Sequence, residues 1–187
     1  MIRLFVAVKI EPQESLMKAF NHVKTRLSDA RISWVNPQNL HITLKFLGDT
    51  PDKNVEKVKE QLRAATQGAK PFTLEIRGLG SFGNTSNPRV LWMGIFDDRH
   101  RLEKLYRSVQ EQLEPLGYEN EGYFFRPHLT LGRIREMKDT IVLRELESSF
   151  GMILFQRNTI DSFALYKSQL TPQGPVYTML EKYSFKK

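Results

Sequence analysis

The sequence carries one four-residue pattern twice, and this repetition limits the folds that the chain can adopt. Residues 41–44 (His-Ile-Thr-Leu) and 128–131 (His-Leu-Thr-Leu) both have the form His-x-Thr-x, 128 − 41 = 87 residues apart. In a β-strand, residues i and i+2 point to the same face, so each histidine shares a face with its threonine. The pattern therefore predicts two strands that each present a polar pair from an otherwise buried sheet.

The spacing of apolar residues predicts an α+β chain. Apolar positions at helical spacing indicate helices, and alternating segments bounded by Gly, Pro or Asn indicate strands. We expect helices over residues 12–29, 52–67, 99–116 and 139–149. We expect strands over residues 2–9, 40–47, 72–79, 89–96, 123–133, 159–167 and 175–184, with a connection at 34–37 and a turn-rich surface loop at 80–88.

The order of these elements predicts two similar halves without a linker between them. Each half has a strand, a long helix, a strand with the repeated pattern, a second helix and further strands. We therefore predict a single bilobal domain over residues 1–187, in which each lobe is a small antiparallel sheet with helices on its outer face. An approximate twofold relation between the lobes would bring the two polar pairs together across a central cleft.

Two histidines that face each other suit general acid–base hydrolysis of a phosphate ester. One neutral imidazole takes a proton from water while an imidazolium gives one to the leaving oxygen, and a reference pKa of about 6.5 allows both states. Thr43 and Thr130 can donate to phosphoryl oxygens as charge develops. A single His-x-Thr pair is more often structural, so it is the repetition that favours His41 and His128 as catalysts.

Arg133 follows the second motif and is a candidate substrate-binding residue, because a guanidinium can bind phosphate through paired hydrogen bonds. Strict alternation would place Arg133 on the face opposite His128. It reaches the cleft only if Gly132 marks a bulge or the strand end; otherwise it is a solvated arginine. His22 and His100 have no threonine two positions later, and we expect both on the surface.

Composition and missing motifs exclude several other chemistries. The chain has no cysteine, which excludes disulfides, thiolate metal sites and a cysteine nucleophile, and which favours a cytoplasmic location. No His-Glu-x-x-His motif, nucleophile elbow or ATP-binding phosphate loop occurs, so we expect neither a metal nor a cofactor. The formal net charge of +7 favours a polyanionic partner such as RNA, and no apolar run is long enough to span a membrane.

The motifs resemble those of the 2H phosphoesterases. More narrowly, the chain resembles the RNA 2′,3′-cyclic phosphodiesterases of bacteria and archaea, once named 2′–5′ RNA ligases. The resemblance covers almost the full length and no motif position departs from the family pattern. The matching segments are residues 3–8, 39–48, 88–92, 127–133, 165–170 and 174–177.

This resemblance implies metal-independent hydrolysis of a terminal 2′,3′-cyclic phosphate of RNA to a 2′-phosphate, in a bilobal fold. By the family pattern His41 is the proton donor and His128 the proton acceptor, an order that the near symmetry of the two motifs leaves open in the sequence itself. ATP-independent 2′–5′ RNA ligation, the same site run backwards, stays an alternative. So does a nucleotide- or RNA-binding module without turnover, although two intact His-x-Thr pairs favour the enzyme. We expect a monomer.

Overall fold

The computed structural model describes residues 1–119, 125–172 and 174–186. These residues form an α+β fold with two antiparallel sheets and four α-helices, which confirms the predicted fold class. The helices are α1 (Glu14–Arg26), α2 (Val55–Ala64), α3 (Arg101–Leu113) and α4 (Ile141–Phe150). The strands are β1 (Ile2–Lys9), β2 (Arg31–Trp34), β3 (His41–Thr50), β4 (Phe72–Asn84), β5 (Asn87–Phe96), β6 (His128–Glu136), β7 (Leu154–Ile160), β8 (Ser162–Thr171) and β9 (Gly174–Ser184).

Each sheet takes strands from both halves of the chain. The first sheet has the strand order β3-β1-β8-β9, and the second has the order β2-β6-β5-β4-β7. The last two strands therefore complete the sheet that the first strand begins, while β2 crosses to pair with β6. The element order had suggested that each lobe is one half of the chain. The strand order shows instead that each sheet combines strands of both halves. Pairing between distant strands decides this, and local periodicity does not encode it.

The helices also cross between the sheets. Helix α1 follows β1 of the first sheet but packs against β7 of the second, and α3 follows β5 of the second sheet but packs against β3 of the first. Helix α2 packs against α3 and β9, and α4 packs against β4. One hydrophobic cluster contains aliphatic residues of both sheets and of all four helices. No helix in the described part of the chain is both long and apolar enough to cross a membrane.

The segment at residues 80–88 is not the predicted surface loop. Strand β4 continues to Asn84 and β5 begins at Asn87, so that only two residues form the turn of a long hairpin. The glycines of this segment mark a closely packed strand, because a Cβ at Gly80 would collide with the ring of Trp92 on β5. Turn-forming residue types thus predicted the chain reversal correctly but overestimated its length.

Three further expectations differ from the structure. Strand β2 was missed, since a four-residue edge strand carries little pattern, and it includes Trp34 of the predicted connection. The strand expected at 159–167 is parts of two strands, β7 and β8, which are separated at Asp161. The strand expected at 123–133 begins at His128, and residues 123–124 lie outside the described residues.

Gly78 is the tightest point between β4 and the end of α4, and it gives a test of this packing. It lies at a bulge with φ +64°, where a Cβ would collide with the carbonyl oxygen of Gly151. Replacing Gly78 with Ala should lower the free energy of unfolding by about 2–5 kcal/mol, from left-handed backbone strain plus overpacking. Urea denaturation measures this change.

Gly68 provides the matched control for this substitution. It also has a positive φ of +76°, but no described atom lies within 4 Å of the position that its Cβ would occupy. Gly68→Ala should therefore cost only the backbone part, about 1–2 kcal/mol. Equal losses for the two variants would contradict the close approach at Gly78.

Candidate active site

The two His-x-Thr motifs occupy equivalent places in the two sheets. His41 and His128 are the first residues of β3 and β6. Strand β1 pairs with β3, and β5 pairs with β6, in matching antiparallel registers. Over nine residues the two motif strands have the same burial pattern, in which half-buried His and Thr alternate with buried aliphatic residues. Strands β3 and β6 also contact each other, so the structure brings the two motifs together.

A hydrogen bond of the same kind fixes each imidazole. Nδ1 of His41 lies 2.6 Å from the carbonyl oxygen of Asn39, and Nδ1 of His128 lies 2.7 Å from that of Arg126. Because a carbonyl oxygen can only accept, Nδ1 carries the hydrogen in both rings. In the neutral ring the lone pair is therefore at Nε2, and in the imidazolium the second proton is there. Nε2 is thus the atom that can exchange a proton with a ligand.

A bulge follows each motif and changes which side chains lie on the face of the histidines. The register between β3 and β1 skips Leu44, and the register between β6 and β5 skips Leu131. Both residues lie three positions after the histidine. An extra residue shifts the alternation of a strand by one, so the side chains beyond it change face. Phe46 and Arg133, the exposed residues that follow, therefore lie on the side of the histidines.

Electrostatic effects show how close Arg133 lies to both motifs. Burial lowers the pKa of His41 and of His128, and the positive charge of Arg133 lowers both further. Burial raises the pKa of the Tyr177 phenol, and the same charge opposes that rise. The bulge that the sequence required for this placement lies at Leu131, next to the glycine where we expected it. On β3 the equivalent position holds Phe46, which is 65% exposed and lies near Phe5. The surface beside the two histidines is thus basic along one motif strand and aromatic along the other.

Thr43 and Thr130 lie half-buried on the faces of their histidines. The next strand places Ala7 beside Thr43 and Trp92 beside Thr130. The structure thus assembles two imidazoles, two hydroxyls and one guanidinium, which together can exchange protons with a phosphate ester and bind its oxygens. Among the described residues, no group of three or more His, Cys, Asp or Glu side chains could hold a metal ion.

Aromatic residues orient both histidines, and sequence reasoning did not single them out. The His41 ring contacts Phe5 at 5.1 Å and Tyr177 at 5.4 Å between centroids, while Phe82 meets the His128 ring at 4.8 Å. Phe5 and Tyr177 lie in segments that carry the family resemblance, which is the only signal that could have found them. The contact of Tyr177 with His41 depends on the position of β9, which no local pattern gives.

Asn39 fixes β9 beside the first histidine. Its side-chain amide donates to the carbonyl oxygen of Pro175 at 3.2 Å, while its own carbonyl accepts the hydrogen bond from His41. One residue thus holds the imidazole and the strand that carries Tyr177. His22 and His100, which have no threonine two positions later, are exposed as expected.

Burial is the main cause that lowers the pKa of both histidines below 6.5. For His41, the hydrogen bond to Asn39 raises the pKa, and the positive charges of Lys9, His128 and Arg133 lower it further. For His128, the bond to Arg126 raises the pKa and Arg133 lowers it. Both imidazoles are therefore mainly neutral at pH 7, and a bound anion would favour the protonated form of either ring.

Known proteins of similar sequence share almost the whole length of the chain. The family model described as LigT like Phosphoesterase matches residues 7–92 and 96–177. The chain is 32% identical over 182 residues to a Methanothermobacter thermautotrophicus protein named RNA 2′,3′-cyclic phosphodiesterase, covering 96% of this chain and 97% of that protein. A protein of the same name from Archaeoglobus fulgidus is 34% identical over 180 residues, covering 94% and 96%.

Solved structures show a similar fold. The crystal structure of TT0787 of Thermus thermophilus superposes with a TM-score of 0.79 at 29% sequence identity, covering 98% of each chain. The crystal structure of E. coli LigT complexed with 3′-AMP superposes with a TM-score of 0.74 at 21% identity, covering 100% of this chain and 99% of that chain. At this lower identity, the likeness to the second protein concerns the fold.

The pKa values of the two histidines can be tested without an activity assay. An NMR titration should give a pKa below 6.5 for both, because burial disfavours the imidazolium. Lys9→Met should raise the pKa of His41 and leave that of His128 in place, since only His41 is affected by Lys9. Inorganic phosphate should raise both values. A pKa above 6.5 for either ring in phosphate-free protein would contradict burial as the dominant effect on that ring.

The same shifts affect stability with a definite sign. The pKa of each ring is lower in the folded chain than the ordinary value of 6.5, so the folded state binds fewer protons than the unfolded state. The contribution of these groups to stability is therefore complete above pH 6.5 and is lost as the pH falls below it.

Proposed function

This chain belongs to the LigT-like phosphoesterase family, and on that premise we propose that it opens the 2′,3′-cyclic phosphate at the end of an RNA to give a 2′-phosphate. The family match confirms the resemblance that the motifs predicted and makes the protein a phosphoesterase. The names of the relatives support this substrate. One observation carries the mechanism: two imidazoles at equivalent positions each use Nδ1 to bind a backbone carbonyl and keep Nε2 for proton exchange.

The proposed reaction is a single displacement at phosphorus. The oxygen of a water molecule attacks phosphorus, and the neutral imidazole takes a proton from that water through Nε2. The bond from phosphorus to the 3′ oxygen breaks, and the imidazolium of the other histidine gives its Nε2 proton to the leaving oxygen. The products are a 2′-phosphate and a free 3′ hydroxyl. The ring that took a proton then releases it to solvent, and the ring that gave one takes one up, which restores the starting state.

The roles of proton donor and acceptor go to His41 and His128, in the order of the family pattern. The charges of Lys9 and Arg133 oppose protonation of His41, and the negative charge of the bound phosphate offsets them. The Nδ1 hydrogen bond to a carbonyl suits either protonation state, so the return of each ring to its starting state needs no rearrangement.

Thr43, Thr130 and Arg133 are proposed to bind the phosphate. The two hydroxyls have no hydrogen-bond partner among the described residues and can donate to the non-bridging oxygens as negative charge develops. The guanidinium of Arg133 adds a full positive charge close to both imidazoles. The net charge of +7 supports RNA as the class of substrate, because neutralised phosphates contribute to affinity.

Removal of either motif histidine should abolish most of the activity. On an RNA that ends in a 2′,3′-cyclic phosphate, His41→Ala and His128→Ala should each lower kcat by about 10²–10⁴-fold, because each removes one proton transfer. The product isomer, identified by chromatography, should be the 2′-phosphate. His22→Ala, at an exposed position on α1, is the matched control and should keep the wild-type rate. Wild-type rates in both motif variants would refute the mechanism.

Hydrolysis should proceed at the same rate in excess chelator and without ATP. In the proposal, imidazole groups make every proton transfer, and hydroxyl and guanidinium groups make the charge contacts. Initial rates with and without chelator measure this expectation. A loss of activity that one specific divalent metal restores would instead assign the chemistry to a metal-bound water.

A further inference from the structure

We infer a second phosphate-binding position on β6, formed by Arg135 with Ser33, which holds the phosphodiester next to the terminal nucleotide of the RNA. The inference rests on the proposed function, since it takes the terminal cyclic phosphate to lie between His41 and His128. It adds a binding site for the body of the RNA strand to the site at which the reaction occurs.

Contacts with the edge strand place Arg135 on the same face as Arg133. Ser33 of β2 is the direct cross-strand partner of Arg133. Arg135 donates from Nε to the Oγ of this same serine at 3.1 Å, so its side chain lies on the face that Ser33 and Arg133 share. Ile134, between the two arginines, is 4% exposed and points into the core. The register between β6 and β2 skips Arg135, so strict alternation does not place this side chain, and its hydrogen bond to Ser33 does.

The guanidinium of Arg135 is oriented but still available to a ligand. Its bond to Ser33 uses Nε and leaves the two terminal nitrogens to donate to a phosphate. The side chain is exposed, and within residues 1–119, 125–172 and 174–186 it forms no ion pair with a carboxylate. A guanidinium held by one neutral hydroxyl keeps its full charge for an anion.

The spacing of the two arginines suits successive phosphates. Residues i and i+2 of a regular strand are about 6.6 Å apart, which is of the order of the separation of neighbouring phosphates in an extended single strand. The irregularity at Arg135 leaves the two arginines at most this far apart along the backbone. With Arg133 at the reacting phosphate, Arg135 lies one step farther along β6. Strand β2 is the edge of its sheet and its Arg31 and Ser33 are exposed, so accessible surface continues beside these residues.

The other motif strand, β3, has no such pair of arginines. This difference predicts on which side of the reaction site the rest of the RNA lies. Positions five and seven after His41 hold Phe46 and Gly48, whereas the same positions after His128 hold Arg133 and Arg135. Although β3 and β6 share one burial pattern, only β6 carries charges that can follow a phosphate backbone. The upstream part of the RNA therefore lies along β6 and β2.

Two substrates distinguish this position from the reaction site. Steady-state kinetics of wild-type protein and variants would be measured on a cyclic mononucleotide and on a trinucleotide with the same 2′,3′-cyclic end, at low and high salt. Arg135→Ala should raise KM for the trinucleotide about tenfold more than for the mononucleotide. The salt dependence of log KM for the trinucleotide should weaken by about 0.7, because one phosphate contact is lost. Arg133→Ala should impair both substrates alike.

Control variants separate a defined contact from the general effect of charge. Arg144→Ala removes the same charge from the exposed side of α4 and should leave the kinetics of both substrates at wild-type values. Arg135→Lys should keep the salt dependence of the wild type, since the charge remains, while KM rises for the trinucleotide. Equal effects of Arg135→Ala on the two substrates, or an equal loss in Arg144→Ala, would overturn the inference. Failure of the wild type to open either substrate would instead refute the proposed function.

Discussion

The extra residue in each motif strand is the constraint on which the rest of the cleft depends. A regular strand would keep His and Thr on one face and place the fifth residue after His on the other, so Arg133 would point toward the core. By skipping Leu44 in one strand and Leu131 in the other, the sheets bury both leucines and still present the next exposed side chain beside the histidines. The bulge thus reconciles a continuous hydrophobic core with a polar site built on the same strands.

Interleaving of the chain joins the two lobes around this site. The C-terminal strands β8 and β9 complete the sheet of the first motif, and β2 completes the sheet of the second. Helices α1 and α3 each pack on the sheet opposite to the one they follow. A displacement of one lobe would therefore disturb helix packing and strand pairing in both. This arrangement suits a mechanism in which two imidazoles must keep their separation to within a fraction of an ångström.

The two half-sites share a backbone but differ in the side chains around them. Both histidines bind a carbonyl through Nδ1, yet His41 lies against Phe5 and Tyr177, whereas Phe82 packs against His128. Burial lowers the pKa of both rings, and the nearby arginine adds to this effect. The shared backbone provides two imidazoles with a free Nε2, and the differing surroundings make the two halves of the proposed site unequal.

The sequence by itself determined the residues of the proposed site and the existence of four helices. The repeated motif identified His41 and His128, and the glycine after the second motif indicated where a bulge would be needed, because alternation and turn preference are local properties. Only the tertiary structure decided which strands became neighbours, that the segment at 80–88 is a hairpin, and that Tyr177 and Ser33 lie beside the motif strands. These features depend on pairing between residues far apart in the chain, where many partners satisfy the same hydrophobic pattern and only packing of the whole core selects among them.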